Sequence, residues 1–185
     1  MANYGDAGFW TQQGDFVWCA EQCFMIEKAK RFDEPATVQR LLAIARHEDA
    51  AICNGRTAQM KDLGRNAIPQ FDDEVWSSER FSAMLRCLLA KFSQHEDLAW
   101  KLLATGDRYI AESAKYDREW GIGFSAVDGP LGKGAMRKSE GGSLVWSVGP
   151  DSWPADGNLL GKALMWTRGC LRLQASLEML VLSPV

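Results

Sequence analysis

The chain has 185 residues, 46% of them hydrophobic and 24% charged, and a net charge of −3. That composition excludes a disordered chain, and the acidic balance leaves at most a local basic patch for gripping nucleic acid. The length suits one domain with a sizeable core, and eight tryptophans offer flat surfaces for bases or sugars.

Five cysteines (Cys19, Cys23, Cys53, Cys87, Cys170) follow no zinc spacing, and there are only two histidines, His47 and His95. Free thiols in a reducing compartment are expected, with no metal and no cofactor. The segment Met1 to Asp6 has no apolar run or basic leader, and no stretch reaches membrane-spanning length. An intracellular, cytoplasmic protein without a membrane partner is expected.

Residues 1–18 read as loop or short strand, with Asp15 to Trp18 a strand running into the first helix. Cys19 to Phe32 reads as a helix of good helix formers without Gly or Pro. At about 100° per residue, Glu21, Phe24, Met25, Lys28 and Phe32 gather on one face, while Glu27, Lys30 and Arg31, with Cys23 and Ile26, fall away from its centre. Two opposite charges therefore sit inside an apolar stripe, seven residues apart. A charge facing a core is costly unless paired, so this face either lines a polar cleft or holds an internal ion pair.

Asp33-Glu34-Pro35 breaks that helix, and Ala36 to Arg46 reads as a second one. Thr57 to Leu63 reads as a short helix closed by Gly64 as a C-cap glycine. Asp72 or Asp73 caps the strongest amphipathic pattern, running through Trp76, Leu85 and Phe92, with Lys91 on a solvated face. Helix resumes after His95 and runs to Leu103. Tyr109 to Ser113 reads as a short strand, and Tyr116 to Gly123 as a loop. Residues 125–157 read as a long loop, and one this long in a compact domain is either functional or disordered; Trp146 and Trp153 argue against complete disorder of its second half. Leu159 to about Leu173 is the last long helix, opened by Asn158; the tail from Gln174 is either further helix or mobile.

The run Asp117-x-x-Trp120-Gly121-x-Gly123 puts a carboxylate, an indole and flexible backbone in one loop. It suits stacking on a flat ring beside an acid, or simply a loop anchored by a buried Trp. Gly157-Asn158-Leu159-Leu160-Gly161 either cradles a phosphate or merely starts a helix. Gly121-Ile122-Gly123 is not a dinucleotide fingerprint, because the third glycine and a βαβ unit are missing.

In this order the pieces resemble the NADAR (YbiA-like) family. The resemblance rests on Cys19-Ala20-Glu21-Gln22 with Met25, Lys28-Ala29 and Phe32, then Lys61-x-x-Gly64-Arg65, then Phe71-Asp72 to Trp76 and Arg80. It continues through Lys91 to Gln94, Leu102 to Asp107, Glu112, Asp117 to Gly123, and Gly157-Asn158-x-Leu160-Gly161 with Leu164-Met165 and Arg168. It spans roughly residues 9–172. The family's Leu-Ser-Asn-Phe-like opening segment is absent, so Asn3 to Phe9 would have to replace it. The loop 125–157 is longer than the family's usual connection.

The resemblance implies an α+β, helix-dominated single domain over residues 1–185. It implies an N-glycosidase that cleaves a ribose C1–nitrogen bond, with no cofactor. The substrate expected is ADP-ribosylated guanine, as nucleoside or in nucleic acid. Phosphoribosylamino intermediates of riboflavin synthesis are the alternative, and a non-catalytic ADP-ribose reader is a further one. Under the resemblance Glu21, Lys28 and Asp117 are the catalytic candidates. Arg65, Glu112, Trp120, Gly121, Gly123 and Asn158 are the substrate-binding ones.

Overall fold

The computed structural model describes residues 8–125, 136–138, 144–146, 151 and 153–182, with backbone alone for 136–138, 144–146 and 180–182. Residues 3–7 of the segment proposed to replace the missing family motif, and most of the long loop, lie outside the described residues. The fold is helix-dominated, as expected. Its helices are α1 (Ala20–Arg31), α2 (Pro35–Leu42), α3 (Ala50–Asn66), α4 (Asp73–Gln94), α5 (Glu96–Leu103) and α6 (Leu159–Leu182). Two antiparallel strand pairs complete it: β1 (Phe9–Trp10) with β2 (Phe16–Val17), and β3 (Met136–Lys138) with β4 (Leu144–Trp146). The second pair falls inside the stretch read as unbroken loop. Among the described residues no helix is long and apolar enough to cross a membrane.

The chain forms two compact units, Met1–Lys101 and Leu102–Val185. In the first, α1 is the central element, packed by α2, α3 and α4. Cys19 caps it, its Sγ accepting from the Gln22 amide at 3.4 Å. Asp33, at φ +53°, reverses the chain, and Pro35 starts α2 at the position where a missing N–H costs nothing. Gln22 is fully buried and fully used. Its Nε2 donates to the carbonyls of Leu41 (2.8 Å) and Ile44 (3.1 Å), and its Oε1 accepts from the Trp18 amide at 2.9 Å.

Contrary to the wheel reading, Cys23, Ile26 and Glu27 are also buried, so α1 is covered on nearly all sides. Glu27 lies inside because Arg86 of α4 grips its Oε2 through Nε (2.9 Å) and Nη2 (2.6 Å). Breaking a buried ion pair strands a charge, although the half-exposed Arg86 lets water soften the loss. Arg86→Met is expected to cost about 1–3 kcal/mol of unfolding free energy, and Glu27→Gln in the same chain to recover most of it. Urea titration of the single and double variants measures both.

Gly64 does not end a helix: α3 runs from Asp49, whose Oδ1 caps Ala51 and Ile52, through Asn66. The glycine serves close packing instead, since a Cβ there would lie 2.1 Å from Met25 Sδ on α1. Lys91 is not solvated. It is 6% exposed, and burial lowers its pKa, with Cys19 opposing. All five cysteines are free; burial pushes the Cys19 thiol up to about 11.

In the second unit, Tyr109 to Ser113 is not a strand. Its polar backbone atoms go elsewhere: Asn158 Oδ1 accepts from the Glu112 amide (3.0 Å), Asn158 Nδ2 donates to Ile110 O (2.9 Å), and Ile122 N donates to Glu112 O (2.9 Å). Arg168 of α6 adds donations to Thr105 Oγ1 (2.7 Å) and Arg108 O (2.9 Å). The tail from Gln174 continues α6 as far as Leu182.

Candidate active site

The first unit brings Glu21, Lys28 and Arg65 together. Glu21 and Lys28 lie on α1 two turns apart, about 10 Å along the axis, too far for a direct ion pair with each other. Both instead find partners on α3. Lys28 Nζ donates to the Gly64 carbonyl at 2.8 Å, and Lys61 Nζ lies 3.7 Å from Glu21 Oε2. The close approach at Gly64 puts that carbonyl within reach of Lys28, so a packing glycine also serves the site.

Lys28 is 9% exposed and sits in an aromatic seat. Its Nζ lies 4.0 Å from the Phe71 ring centroid and 5.9 Å from that of Trp76. Phe32 braces Phe71 edge-on at 5.3 Å, and Phe24 lies 5.2 Å from Trp76. The Asp72 side chain caps α4 through the Val75 amide, which fixes Trp76 one turn into the helix. In the sequence Lys61, Phe71 and Trp76 carry the resemblance without a role assigned to any of them. The spacing between Lys61 and Arg65, four residues on one helix, is the signal that places both on one face.

Burial pulls the Lys28 pKa down, Arg65 pulls it further, and Asp73 opposes. Burial pushes the Glu21 carboxyl up, against Lys61 and Arg65. The two groups are thus displaced toward neutrality from opposite sides. Such displacement suits an amine that must shed its proton to act as a nucleophile and a carboxyl that must exchange one.

The second unit brings Glu112, Asp117, Trp120, Gly121, Gly123 and Asn158 into one tied segment. Asp117 Oδ1 accepts from the amides of Glu119 (3.0 Å) and Trp120 (2.7 Å), forming the turn that presents the indole. Gly123, at φ +73°, closes it by donating to Asp117 O at 3.0 Å. The amides of Asn158, Leu159 and Leu160 donate to the carbonyls of Gly121, Glu119 and Trp120. Three amides at the start of α6 are thus spent on this loop rather than left open for a phosphate, and the Asn158 side chain is spent on residues 110–112. Among the described residues no cluster of three or more His, Cys, Asp and Glu side chains gathers to hold a metal ion.

This helix-dominated architecture is that of the E. coli protein YbiA. Its NMR structure matches with a TM-score of 0.53 at 21% identity, covering 94% of this chain and 78% of that one. The family model for the NADAR domain matches residues 10–172, and the chain belongs to that family. Among curated proteins it is similar to an N-glycosidase of Acanthamoeba polyphaga mimivirus, 28% identical over 80% of this chain and 71% of that protein. An N-glycosidase of Nostoc punctiforme is 28% identical over 76% of this chain and 83% of that protein. Protein irg-1 of Caenorhabditis elegans is 30% identical over 60% of this chain and 48% of that protein.

Proposed function

We propose that the protein hydrolyses the C1–nitrogen bond that joins ADP-ribose to guanine. The coarser activity, that of an N-glycosidase enzyme, follows from its family and its relatives. The observation that carries the catalytic reading is the pairing on one helix face of a buried lysine pulled down in pKa with a carboxyl pushed up.

Cleavage leaves an electron pair on the departing nitrogen and positive charge on C1 and the ring oxygen. Glu21, as carboxylate, stabilises that charge and orients water. Lys28, as free amine, is placed to attack C1. The bond to the base breaks, the ring opens to an imine on Nζ, and water then releases the sugar and returns the amine. Asp117 is the proposed acid for the base; one of its oxygens is held by the turn, and the other is the one assigned to proton transfer. Trp120 supplies a stacking surface. Arg65 is an exposed cation beside the reacting pair, which favours a substrate carrying phosphate charge.

The test is incubation with ADP-ribosylated guanosine and, separately, with a phosphoribosylamino pyrimidine, followed by chromatography for the released base. Turnover of the first is expected. Turnover of the second alone would move the activity to riboflavin-type intermediates. Binding of ADP-ribose with no release of either base would make the domain a reader.

A further inference from the structure

Lys61 has no part in the chemistry proposed above beyond lying near the reacting pair, yet it is the cation in contact with Glu21. We propose that Lys61 is a positioning residue that keeps the Glu21 carboxylate ionised and aimed for the glycosidic step. The inference rests on the reading of Glu21 as catalytic.

The geometry is asymmetric in a useful way. The Glu21 side chain is 12% exposed and that of Lys61 48%. The carboxylate has largely left water, while the lysine side chain stays about half in it, so the ammonium contributes little desolvation cost to the pair. The contact is to Oε2 at 3.7 Å, which turns the carboxylate toward α3. The placement of α3 is itself fixed, because Gly64, three residues on, packs directly on Met25 between Glu21 and Lys28. One turn of α3 thus addresses both reactive groups: Lys61 holds Glu21, and the Gly64 carbonyl holds Lys28.

The charged and titratable groups acting here can be named. From α3, Lys61 and Arg65 both favour the ionised Glu21. At the start of its own helix lies Cys19, whose thiol Glu21 pushes up, and Lys91 of α4 acts on Cys19 in the opposite sense. Asp73 of α4 and Arg65 act on Lys28 in opposite directions. Burial drives Glu21 toward its protonated form, and Lys61 is the largest influence against it. Without Lys61, a larger share of Glu21 carries a proton at any pH near its titration.

The experiment compares the wild type, Lys61→Met and Lys61→Arg in kcat/KM against pH, with ADP-ribosylated guanosine as substrate. For Lys61→Met the acidic limb should move up by roughly half to one pH unit, a loss of about three- to tenfold on that limb, with the curves converging above it. Lys61→Arg should hold the wild-type limb, because it keeps the charge. A merely structural role for Lys61 would lower activity evenly at all pH values. In parallel, carbon-13 NMR follows the Glu21 carboxyl, assigned by its loss in Glu21→Gln, through a pH titration of the same proteins. An upward shift in Lys61→Met supports the inference even if the wild type leaves the substrate uncleaved, in which case only the substrate reading falls. An unmoved Glu21 titration in Lys61→Met overturns it.

Discussion

Glu21→Gln and Lys28→Met are each expected to cut kcat on ADP-ribosylated guanosine by roughly 10²–10⁴-fold, the usual worth of an acid–base or nucleophilic group. KM should change little, because neither group is assigned to holding the base. Glutamine keeps the shape of the carboxyl and loses its charge. The oxocarbenium-like sugar then lacks its counter-charge, and water lacks its acceptor. Methionine keeps the bulk of Lys28 between Phe71 and Trp76 and removes the amine. Lys28→Arg should fail as well, since a guanidinium does not give up its proton near neutrality. Borohydride added during turnover should fix the sugar covalently on Lys28 in the wild type and not in Lys28→Met. Near-normal turnover in folded Glu21→Gln and Lys28→Met would sink the assignment.

The same two substitutions should stabilise the fold, which separates a functional pair from a structural one. Burial raises the folded-state pKa of Glu21 above its ordinary 4.5, so the unfolded chain releases that proton first. The wild type therefore loses stability as pH rises from about 4.5 through the raised value, and the amide variant does not. Lys28 is displaced the other way, below 10.5. The unfolded chain holds that proton more readily, so the wild type gains stability as pH rises from the lowered value to 10.5. The advantage of Lys28→Met is accordingly full below the lowered value and has faded by about 10.5. Thermal melts at several pH values read both trends. Residues kept for chemistry commonly cost stability in this way.

Local signals made α1 legible. An uninterrupted run of helix formers between Cys19 and the Asp33-Glu34-Pro35 break set its ends, and the wheel placed Glu21 and Lys28 on one face. What it misjudged depends on contacts far along the chain. Glu27 points away from that face and is buried regardless, because Arg86 arrives from 59 residues on to pair with it. The local rule that glycine stops helices misplaces Gly64, because a glycine required by a side chain of another helix gives no local sign. Lys91 reads as solvated for the same reason: the elements that cover it lie elsewhere in sequence. Tyr109 to Ser113 carries strand-forming residues, yet the partners of its backbone are the Asn158 side chain and Ile122 rather than a neighbouring strand. For the site, the resemblance named the reactive pair, and the aromatic seat under Lys28 came into view only once α4 was folded against α1.

Asn158→Ala is expected to destabilise the protein by about 2–4 kcal/mol, a second large effect with a different origin. Asn158 is 2% exposed and stands at φ +57°, a backbone state that asparagine tolerates and alanine resists. Its amide side chain supplies one acceptor and one donor to the 110–112 backbone, and alanine leaves both partners unmet. The α6 backbone is packed closely on this segment, since a Cβ at Gly161 would lie 2.2 Å from Ile110 O. Asn158→Gly divides the effect. It loses the same two hydrogen bonds but relieves the left-handed backbone, so it should be about 1 kcal/mol less damaging than alanine. Urea midpoints of the two variants measure the difference, and hydrogen exchange locates it: the amides of Glu112 and Ile122 should lose protection first. If Asn158→Ala melted like the wild type with the Glu112 amide still protected, the segment holding Glu112, Asp117 and Trp120 would have to be held by some other tie. Asn158 would then be free for a ligand, which its present hydrogen bonds do not allow.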